Sequence, residues 1–482
     1  MVPRYKRVAV IGAGPSGLAA VKALEDERVF DYIRVFERRE CVGGLWAYDA
    51  EPDTFQPTST EAEGVPDIPP NLTPNAPLLA DPLPERLGLR GSAYEALDTN
   101  AGSRTMAYTH TPLPISNSVS SIRKYGQNNS TRPRRAVLKY LEDLFEPYLH
   151  LLELGTGVEK IEKPNSGSGW LLTLRKRNVR HGSDAQPRDY WWQEVFDAVV
   201  VASGYFNVAH VPHIEGLEET SKEYPDKFEH SKSWRSQESY IGKKVIVVGS
   251  GVSAADLSED LHDIVQAPLH ISMRTEVEFL KNAFRLPNVV TKPPIKRISS
   301  EATGTLHFED GTTLQGFDKV IFATGYKLSY PFLPFEAVTS QNRLKGFYQH
   351  VFNMEDPSLV VIGQVRAAIS FRVYEYQAIA VSRYFAGRTE ELPTSKEQHD
   401  WEVKRLQYKG PTELFHEIKP DFHEYYGWLA NFAGAPAEGS GGYSSPVFED
   451  DWVQSDIEIL IAKDKHWASI RKRHDDLGSS ER

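Results

Sequence analysis

The sequence contains few cysteines, no long apolar run and no excess of basic residues, and each shortage excludes a class of protein. Its 482 residues include one cysteine, Cys41, so no disulfide can form within the chain, which fits a reducing compartment. A mechanism through a redox pair of cysteines is excluded for the same reason. No run of about 18 apolar residues is present, so we expect no membrane span. The formal net charge of −11, without a basic stripe, argues against nucleic acid as a partner.

The charged segments and the two ends of the chain indicate a soluble protein. The basic residues Arg175, Lys176, Arg177 and Arg180 lie between two strand-like runs, so we expect a solvated hairpin tip there. An apolar run begins near the N-terminus at Arg7, which leaves no room for a cleavable signal. Residues 464–482 are mostly charged and polar, unlike an apolar anchor. We therefore expect a cytoplasmic protein.

Two glycine-rich turns are the most informative features that the sequence does contain. Each follows an apolar run and leads into a helix-like stretch, which is the strand–turn–helix context of a dinucleotide-binding fingerprint. The first glycine permits the tight turn, the second lets the backbone approach a pyrophosphate, and the third small residue lets the helix pack closely. The residues predicted to bind dinucleotides are Gly12, Gly14, Pro15, Ser16 and Gly17 in the first turn, and Gly249, Gly251, Val252, Ser253 and Ala254 in the second.

The residues at the ends of the following strands indicate which dinucleotide binds at each turn. Glu37, followed by Arg38, ends the strand predicted over 32–36, and a carboxylate there can accept hydrogen bonds from ribose hydroxyls. Arg274 ends the strand predicted over 269–273, where a guanidinium can bind a 2′-phosphate through paired charged hydrogen bonds. We therefore assign FAD to the first site and NADPH to the second.

The order of these motifs predicts an α/β protein with two Rossmann-like dinucleotide-binding domains, the NADPH domain inserted into the FAD domain. We expect the FAD domain over 1–206 and 327–482, including a C-terminal extension, and the NADPH domain over 207–326. The similar segments 202–205 and 323–326 are predicted to connect the two domains. A Pro-rich segment over about 49–90 is expected to form an irregular loop near a site or a flexible excursion.

In this order and spacing, the motifs over residues 5–395 resemble the flavin-containing monooxygenases that carry FAD and NADPH on one chain. The resemblance rests on Gly12–Gly17, Glu37, Gly43–Trp46, Gly249–Ala254 and Phe322–Tyr326. It implies that NADPH reduces the flavin and that dioxygen then forms a C4a-hydroperoxyflavin. A nucleophilic nitrogen or sulfur atom of a small organic substrate attacks the distal oxygen, while bound NADP⁺ shields the intermediate. The resemblance leaves a homodimer, secondary metabolism and detoxification open.

The resemblance also implies further site residues. Asn100, in the stretch Tyr94–Asn100, corresponds to an asparagine at the active centre, although it can also be read as a turn residue before Ala101. Its amide both donates and accepts hydrogen bonds. His230 corresponds to a histidine that couples the domains, or is a structural histidine. The remaining residues that we expect to bind cofactor are Gly44, Leu45, Trp46, Thr99, Thr324, Gly325 and Gln377.

Three other functions stay open at this stage. Trp234 closes the histidine motif as in Baeyer–Villiger monooxygenases, which oxygenate ketones, although the residues after Gly44 and the closing Tyr326 favour nitrogen or sulfur oxygenation. An NADPH oxidase that releases hydrogen peroxide would use the same scaffold. A non-catalytic NADPH sensor is disfavoured, because it has no need for both Glu37 and Arg274.

Overall fold

The computed structural model of the protein describes residues 3–57, 67–74, 76–84, 88–164, 167–180 and 186–480, and the side chains up to residue 477. The Pro-rich segment predicted over about 49–90 therefore lies partly outside the described residues, at 58–66, 75 and 85–87. Within the described residues, no helix is both long enough and apolar enough to cross a membrane.

Most of the strands lie between residues 152 and 361, where few helices interrupt them. The helices are α1 (Pro15–Glu27), α2 (Val119–Tyr125), α3 (Arg134–Phe145), α4 (Leu217–Glu223), α5 (Val252–Leu261), α6 (Ser370–Phe385), α7 (Ser395–Lys409), α8 (Phe422–Ala433) and α9 (Asp451–Ser480). The strands are β1 (Arg7–Ile11), β2 (Tyr32–Phe36), β3 (Leu78–Ala80), β4 (Leu152–Glu153), β5 (Thr156–Glu162), β6 (Trp170–Val179), β7 (Arg188–Phe196), β8 (Ala198–Val201), β9 (Val208–Ala209), β10 (Phe228–His230), β11 (Val245–Val248), β12 (Leu269–Ser272), β13 (Val289–Lys292), β14 (Ile295–Ser299), β15 (Thr305–Phe308), β16 (Thr313–Gln315), β17 (Lys319–Phe322), β18 (Tyr326–Lys327), β19 (Phe347–Tyr348), β20 (Phe352–Asn353) and β21 (Leu359–Val361).

The first sheet has the strand order β19-β20-β21-β8-β1-β2-β4, and β1 pairs in parallel with both β2 and β8. Its central strand β1 is buried on both faces, which is why it reads as a continuous apolar run. Val8 and Val10 pack with apolar residues of α1 and α6, while Ala9 and Ile11 face the antiparallel sheet β3-β7-β6-β5. The first glycine turn therefore lies at the carboxyl end of a strand covered on both sides.

The second sheet is parallel throughout, in the order β10-β17-β11-β12-β13. Val245 and Val247 of β11 pack with α5, and Ile246 and Val248 face the small sheet β14-β15-β16. All its strands lie in sequence between β8 and β21, which are paired neighbours in the first sheet. The α/β fold with two Rossmann-like units, one inserted into the other, is thus confirmed.

The segments that connect the two sheets lie side by side. β9 pairs antiparallel with β18, and His210 N donates to Gly325 O at 2.8 Å. The Thr324 hydroxyl also donates to the His210 carbonyl. The chain therefore leaves and re-enters the first unit through a paired two-strand connection.

The prediction that the basic cluster forms a solvated hairpin tip is wrong for Arg175. Arg175 lies within the long strand β6 and is only 4% exposed, because its guanidinium donates to Glu159 at 2.6 Å and to Asp189 at 2.9 Å. The strand continues to Val179, so it includes Arg175, Lys176 and Arg177, which the sequence placed in the hairpin tip. Arg175 and Arg177 instead contribute to the wall of the main cavity.

Candidate active site

A cavity of about 660 Å³ adjoins both nucleotide-binding units. From the first unit its wall includes Gly12 and Gly14 of the glycine turn. From the second unit it includes Ser253, Asp256 and Asp260, whose spacing places them on one face of α5. A molecule bound at the first turn therefore lies in the same space as the face of α5.

The first glycine turn leaves no room for a side chain at its first and third glycines. Gly12 has φ +105°, and a Cβ there would lie 2.6 Å from the Ala202 carbonyl oxygen. A Cβ on Gly17 would lie 1.9 Å from the Gly12 carbonyl oxygen. Gly14 faces Gly44, whose added Cβ would lie 2.8 Å from the Gly14 Cα. The backbone of this turn and the N-terminus of α1, which follows it directly, fit the pyrophosphate of a dinucleotide.

Glu37 is held in place at the end of β2. Its carboxylate accepts hydrogen bonds from Ala13 N at 2.7 Å and Arg39 N at 2.9 Å, and the residue is only 5% exposed. A carboxylate has about four acceptor sites, so capacity remains for ribose hydroxyls. Arg38 beside it also lines the cavity, and its guanidinium donates to Gly88 O at 2.6 Å. Both predicted residues therefore line the cavity at the end of β2.

The turn at Gly44, Leu45 and Trp46 forms another part of the cavity wall. Gly44 has φ +53°, a left-handed conformation that favours glycine. The Arg39 guanidinium fixes this turn by donating to Gly44 O at 3.0 Å and to Asp49 at 2.6 Å. The predicted residues Pro15 and Ser16 also line the cavity, and the Ser16 hydroxyl donates to Ala202 O at 3.2 Å.

The second glycine turn is more open. A Cβ on Gly249 would lie 2.4 Å from the Ala323 carbonyl oxygen, but a Cβ on Gly251 would meet no atom within 4 Å. Ser253 lines the cavity, while Gly249, Gly251, Val252 and Ala254 are not part of its wall. Arg274 is exposed just beyond β12 and is also outside the cavity wall. The open α5 N-terminus fits a pyrophosphate, with Arg274 accessible at the end of the neighbouring strand.

Asn100 lines the cavity between the two units and is held by residues of both α5 and the C-terminal helix. Lys463 of α9 donates from Nζ to Asn100 Oδ1 at 2.5 Å and to Asp256 Oδ1 at 2.6 Å. Asn100 Nδ2 lies 3.5 Å from Asp256 Oδ2. Thr99 is buried beside it, and its hydroxyl oxygen accepts from Arg132 N at 3.1 Å. The Asn100 amide is thus part of a polar network rather than a free turn residue.

Burial raises the pKa of three carboxyl groups on the cavity wall, Asp98, Asp260 and Asp456, and the shifts of Asp260 and Asp456 are large. Burial raises the pKa of Asp260 to about 7, and the nearby Asp256 and Glu259 add to this shift. Burial also raises the pKa of Asp456 to about 6, although a hydrogen bond from Thr105 Oγ1 at 3.0 Å opposes the change. Both groups can therefore exchange a proton near neutral pH.

Four further predicted cofactor residues, Gly17, Thr324, Gly325 and Gln377, are not part of the cavity wall. Thr324 and Gly325 form the connection between the two sheets. Gln377 is fully buried in α6, where its Oε1 accepts from Gly363 N at 2.8 Å and its Nε2 donates to the Tyr425 hydroxyl at 2.7 Å. Since Gly363 lines the cavity, Gln377 can act on a bound ligand only by holding that backbone.

His230 connects the units through its neighbour Lys232. Its buried ring accepts from Lys232 N at 3.0 Å, and burial lowers the pKa of the imidazole to about 3, which keeps it neutral. The buried Lys232 ammonium pairs with Asp53 at 2.5 Å. Phe55, two residues further along, stacks on Phe322 with ring centroids 5.7 Å apart. The start of the Pro-rich segment is therefore docked on the second unit.

Sequence reasoning missed Asp256, Asp260, Asp456 and Lys463 as site residues. The spacing of Asp256 and Asp260 after the second turn places them on the Ser253 face, so helical periodicity could have found them. On α9, the buried residues Trp452, Ile459, Lys463 and Trp467 recur at helical spacing. Nothing in the local sequence, however, indicates that this face packs against Asn100.

Comparisons with known proteins agree with this geometry. The sequence profile of the flavin-binding monooxygenase-like family matches residues 5–57, 187–286 and 269–437. The chain is 30% identical to flavin-containing monooxygenase FMO GS-OX-like 7 of Arabidopsis thaliana, over 89% of this chain and 84% of that protein. It is 28% identical to flavin-containing monooxygenase iboF of Amanita muscaria, over 84% of this chain and 83% of the relative.

Solved structures share the same fold. The structure of S-allyl-L-cysteine S-oxygenase from Allium sativum superposes with a TM-score of 0.72 at 25% identity, covering 99% of this chain and 98% of that one. An open structure of cyclohexanone monooxygenase superposes with a TM-score of 0.53 at 14% identity, covering 89% and 97% of the two chains, and at that identity it shows the fold alone.

Proposed function

The chain belongs to the flavin-binding monooxygenase-like family, and on that premise we propose that it uses NADPH and dioxygen to oxygenate a nucleophilic nitrogen or sulfur atom of a small organic substrate. It is an FAD-dependent monooxygenase, and FAD and NADPH are its cofactors. The observation that carries the proposal is the shared cavity, whose wall includes Gly14 from the first unit and Ser253 from the second. Hydride transfer needs the two cofactors in one such space.

In this proposal the first unit, at 1–206 and 327–482, holds FAD, and the inserted unit, at 207–326, holds NADPH. Glu37 accepts hydrogen bonds from the ribose of FAD, since its carboxylate is already oriented by two backbone N–H groups. Gly12, Gly14 and Gly44 allow close approach to the pyrophosphate. Arg274 binds the 2′-phosphate of NADPH. NADH has an uncharged hydroxyl group at that position of the ribose.

Asn100 is the proposed catalytic residue, because its amide faces the cavity between the two units. Bound FAD, once reduced by NADPH, would supply the chemistry of dioxygen activation, by which one oxygen atom of dioxygen passes to the substrate and the other leaves as water. Asn100 would donate a hydrogen bond to an acceptor atom in the cavity, and Trp46 and Trp234 on the wall would help to exclude water. The role of the protein is then orientation and shielding.

The choice of a sulfur or nitrogen atom is supported by the chain's 25% identity and nearly complete overlap with the S-allyl-L-cysteine S-oxygenase from Allium sativum. A location in the cytoplasm is supported by the single free cysteine, Cys41. Light scattering of the purified protein would test whether it forms the homodimer that the resemblance leaves open.

Oxygen transfer from isotopically labelled dioxygen tests the function directly. The FAD-loaded protein would be supplied with NADPH and, in separate reactions, a dialkyl sulfide, a tertiary amine and a cyclic ketone. We expect a labelled S-oxide or N-oxide. A labelled ester from the ketone alone would contradict the proposal in favour of Baeyer–Villiger oxygenation. Hydrogen peroxide equal to the NADPH consumed, with every substrate, would contradict it in favour of an oxidase.

A further inference from the structure

We propose that Lys463, on the C-terminal helix α9, is a positioning residue that fixes the orientation of the Asn100 amide at the active site. The inference deepens the proposed function and rests on it for the role of Asn100. Lys463 lies outside the residues that the family profile matches, which end at 437. It is also absent from the cavity wall, so it acts from behind Asn100.

Lys463 is an unusual member of the buried face of α9. That face also carries Trp452, Ile459 and Trp467, all 4% exposed or less, whereas Lys463 is 8% exposed. A buried ammonium is unfavourable unless it is paired and hydrogen-bonded. Asp256 supplies the paired charge at 2.6 Å, and Asn100 Oδ1 supplies a second acceptor at 2.5 Å. An apolar side chain at this position could form neither the ion pair nor the hydrogen bond.

The chemistry of the ammonium determines which end of the Asn100 amide faces it. A lysine ammonium has three donors and no acceptor, so only the amide oxygen can lie against it. Asn100 Nδ2 is then directed towards Asp256 Oδ2, at 3.5 Å, on the cavity wall. With one Nδ2 hydrogen directed at Asp256, the second remains available as a donor to the cavity, and the charged hydrogen bond to the amide oxygen polarises it.

Neighbouring contacts hold α9 against both units, so Lys463 is anchored. Trp467 Nε1 donates to Glu259 of α5 at 2.8 Å, and Thr105 of the first unit donates to Asp456 of α9 at 3.0 Å. The same helix thus bridges the Asn100 loop and the helix of the second unit. This placement lets Lys463 act on Asn100 and Asp256 together.

The test compares Lys463→Met with Lys124→Met in the full-length, FAD-loaded protein. Lys124 forms a matched ion pair with Glu259 on α5, at 2.8 Å, but does not contact Asn100 in the described residues. For Lys463→Met we expect product formed per NADPH oxidised to fall about tenfold and the dissociation constant for NADP⁺, from calorimetry, to rise about fivefold. Flavin reduction by NADPH should change less than twofold. Lys124→Met should leave all three values near those of the unmodified protein.

A double-mutant cycle separates positioning from general support of the fold. In an Asn100→Ala background, Lys463→Met should change NADP⁺ binding and coupling by less than twofold, because the amide that it orients is absent. Lys463→Arg should restore most of the coupling, since it keeps a charged donor. An equal loss in both backgrounds, or no loss from Lys463→Met alone, would overturn the inference. If Lys463→Met does not fold, Lys463→Gln carries the same cycle.

The outcome is distinguishable from failure of the proposed function. If the unmodified protein oxygenates no substrate, the proposed function fails. The NADP⁺ dissociation constants still measure whether Lys463 and Asn100 are coupled, because this binding requires no oxygenation. Non-additivity in those constants supports the inference, and additivity contradicts it.

Discussion

Gly14 and Gly251 occupy the same position in the two glycine turns and have nearly the same backbone, with φ −85° and ψ −169° in one and φ −82° and ψ −174° in the other. Gly12 and Gly249 also match, since an added Cβ would collide with an alanine carbonyl oxygen at 2.6 Å and 2.4 Å, respectively. Each turn ends at the N-terminus of a helix. Local geometry therefore gives both units the same means of binding a pyrophosphate.

The surroundings of the two turns differ. An added Cβ on Gly14 would face Gly44 at 3.5 Å, whereas one on Gly251 would meet nothing within 4 Å. Glu37 is buried with two backbone donors, whereas Arg274 is exposed. The first turn is closely surrounded, and the second turn is open. This difference suits a cofactor that stays bound in the first unit and one that exchanges in the second, and the variants at Gly17, Gly251 and Arg274 below test it.

The largest effect is expected from closing the first turn. Gly17→Ala places a Cβ 1.9 Å from the Gly12 carbonyl oxygen, so α1 must shift away from its strand. Such overpacking costs about 1–3 kcal/mol or more, and we expect the protein to lose most of its FAD, as measured by flavin absorbance after purification. As a control in the second turn, Gly251→Ala places its Cβ in open space and should retain FAD. Equal FAD loss in both variants would contradict the difference in enclosure.

Next, changing Asn100 should separate flavin reduction from oxygenation. In Asn100→Asp the carboxylate replaces the amide donors and pairs with Lys463, so no N–H faces the cavity. We expect FAD content and anaerobic reduction by NADPH to stay within about twofold, while product per NADPH falls about tenfold and hydrogen peroxide rises. Unchanged product yield would show that Asn100 has another role.

A selective effect is expected at the open end of the second unit. Arg274→Ala removes a charged donor to the 2′-phosphate, and hydrogen bonds to charged groups contribute about 1.5–3 kcal/mol. The Michaelis constant for NADPH should therefore rise at least about tenfold, while that for NADH changes little. Steady-state NADPH and NADH oxidation measures both. An equal rise in the Michaelis constants for NADPH and NADH would contradict the proposal that Arg274 binds the 2′-phosphate.

The smallest effect on function is expected from Asp260 on the cavity wall, where a substitution should change how the free energy of unfolding depends on pH. The folded pKa of Asp260, about 7, lies above its ordinary 3.8, so its protonated form stabilises the fold. That contribution is complete below about pH 4 and is lost as pH rises through about 7. The stability gain of Asp260→Asn over the unmodified protein should therefore be larger at about pH 8 than at about pH 5.5, on the order of 2 kcal/mol. Urea unfolding at both pH values tests this, and a pH-independent difference would contradict it.

The sequence predicts features that depend on local spacing, and it does not predict contacts between residues that are distant along the chain. The strand–turn–helix pattern predicted both glycine turns and the insertion of one unit into the other, because these depend on local spacing. Helix α3 (Arg134–Phe145) is likewise a local feature, because its apolar residues recur at helical spacing. Arg175 was predicted in the solvent, but it is buried because Glu159 and Asp189 come from neighbouring strands. Lys463 could not be found, since its partners are more than two hundred residues away in sequence.

Anaerobic stopped-flow reduction tests most directly whether the two unlike units serve one cavity. The FAD-loaded protein would be mixed with NADPH or NADH without dioxygen while the absorbance of oxidised flavin is followed. The account predicts that one equivalent of NADPH bleaches the flavin fully, and that NADH at the same concentration reacts far more slowly. A flavin that NADPH leaves oxidised would contradict the assignment of the second unit and of the shared cavity.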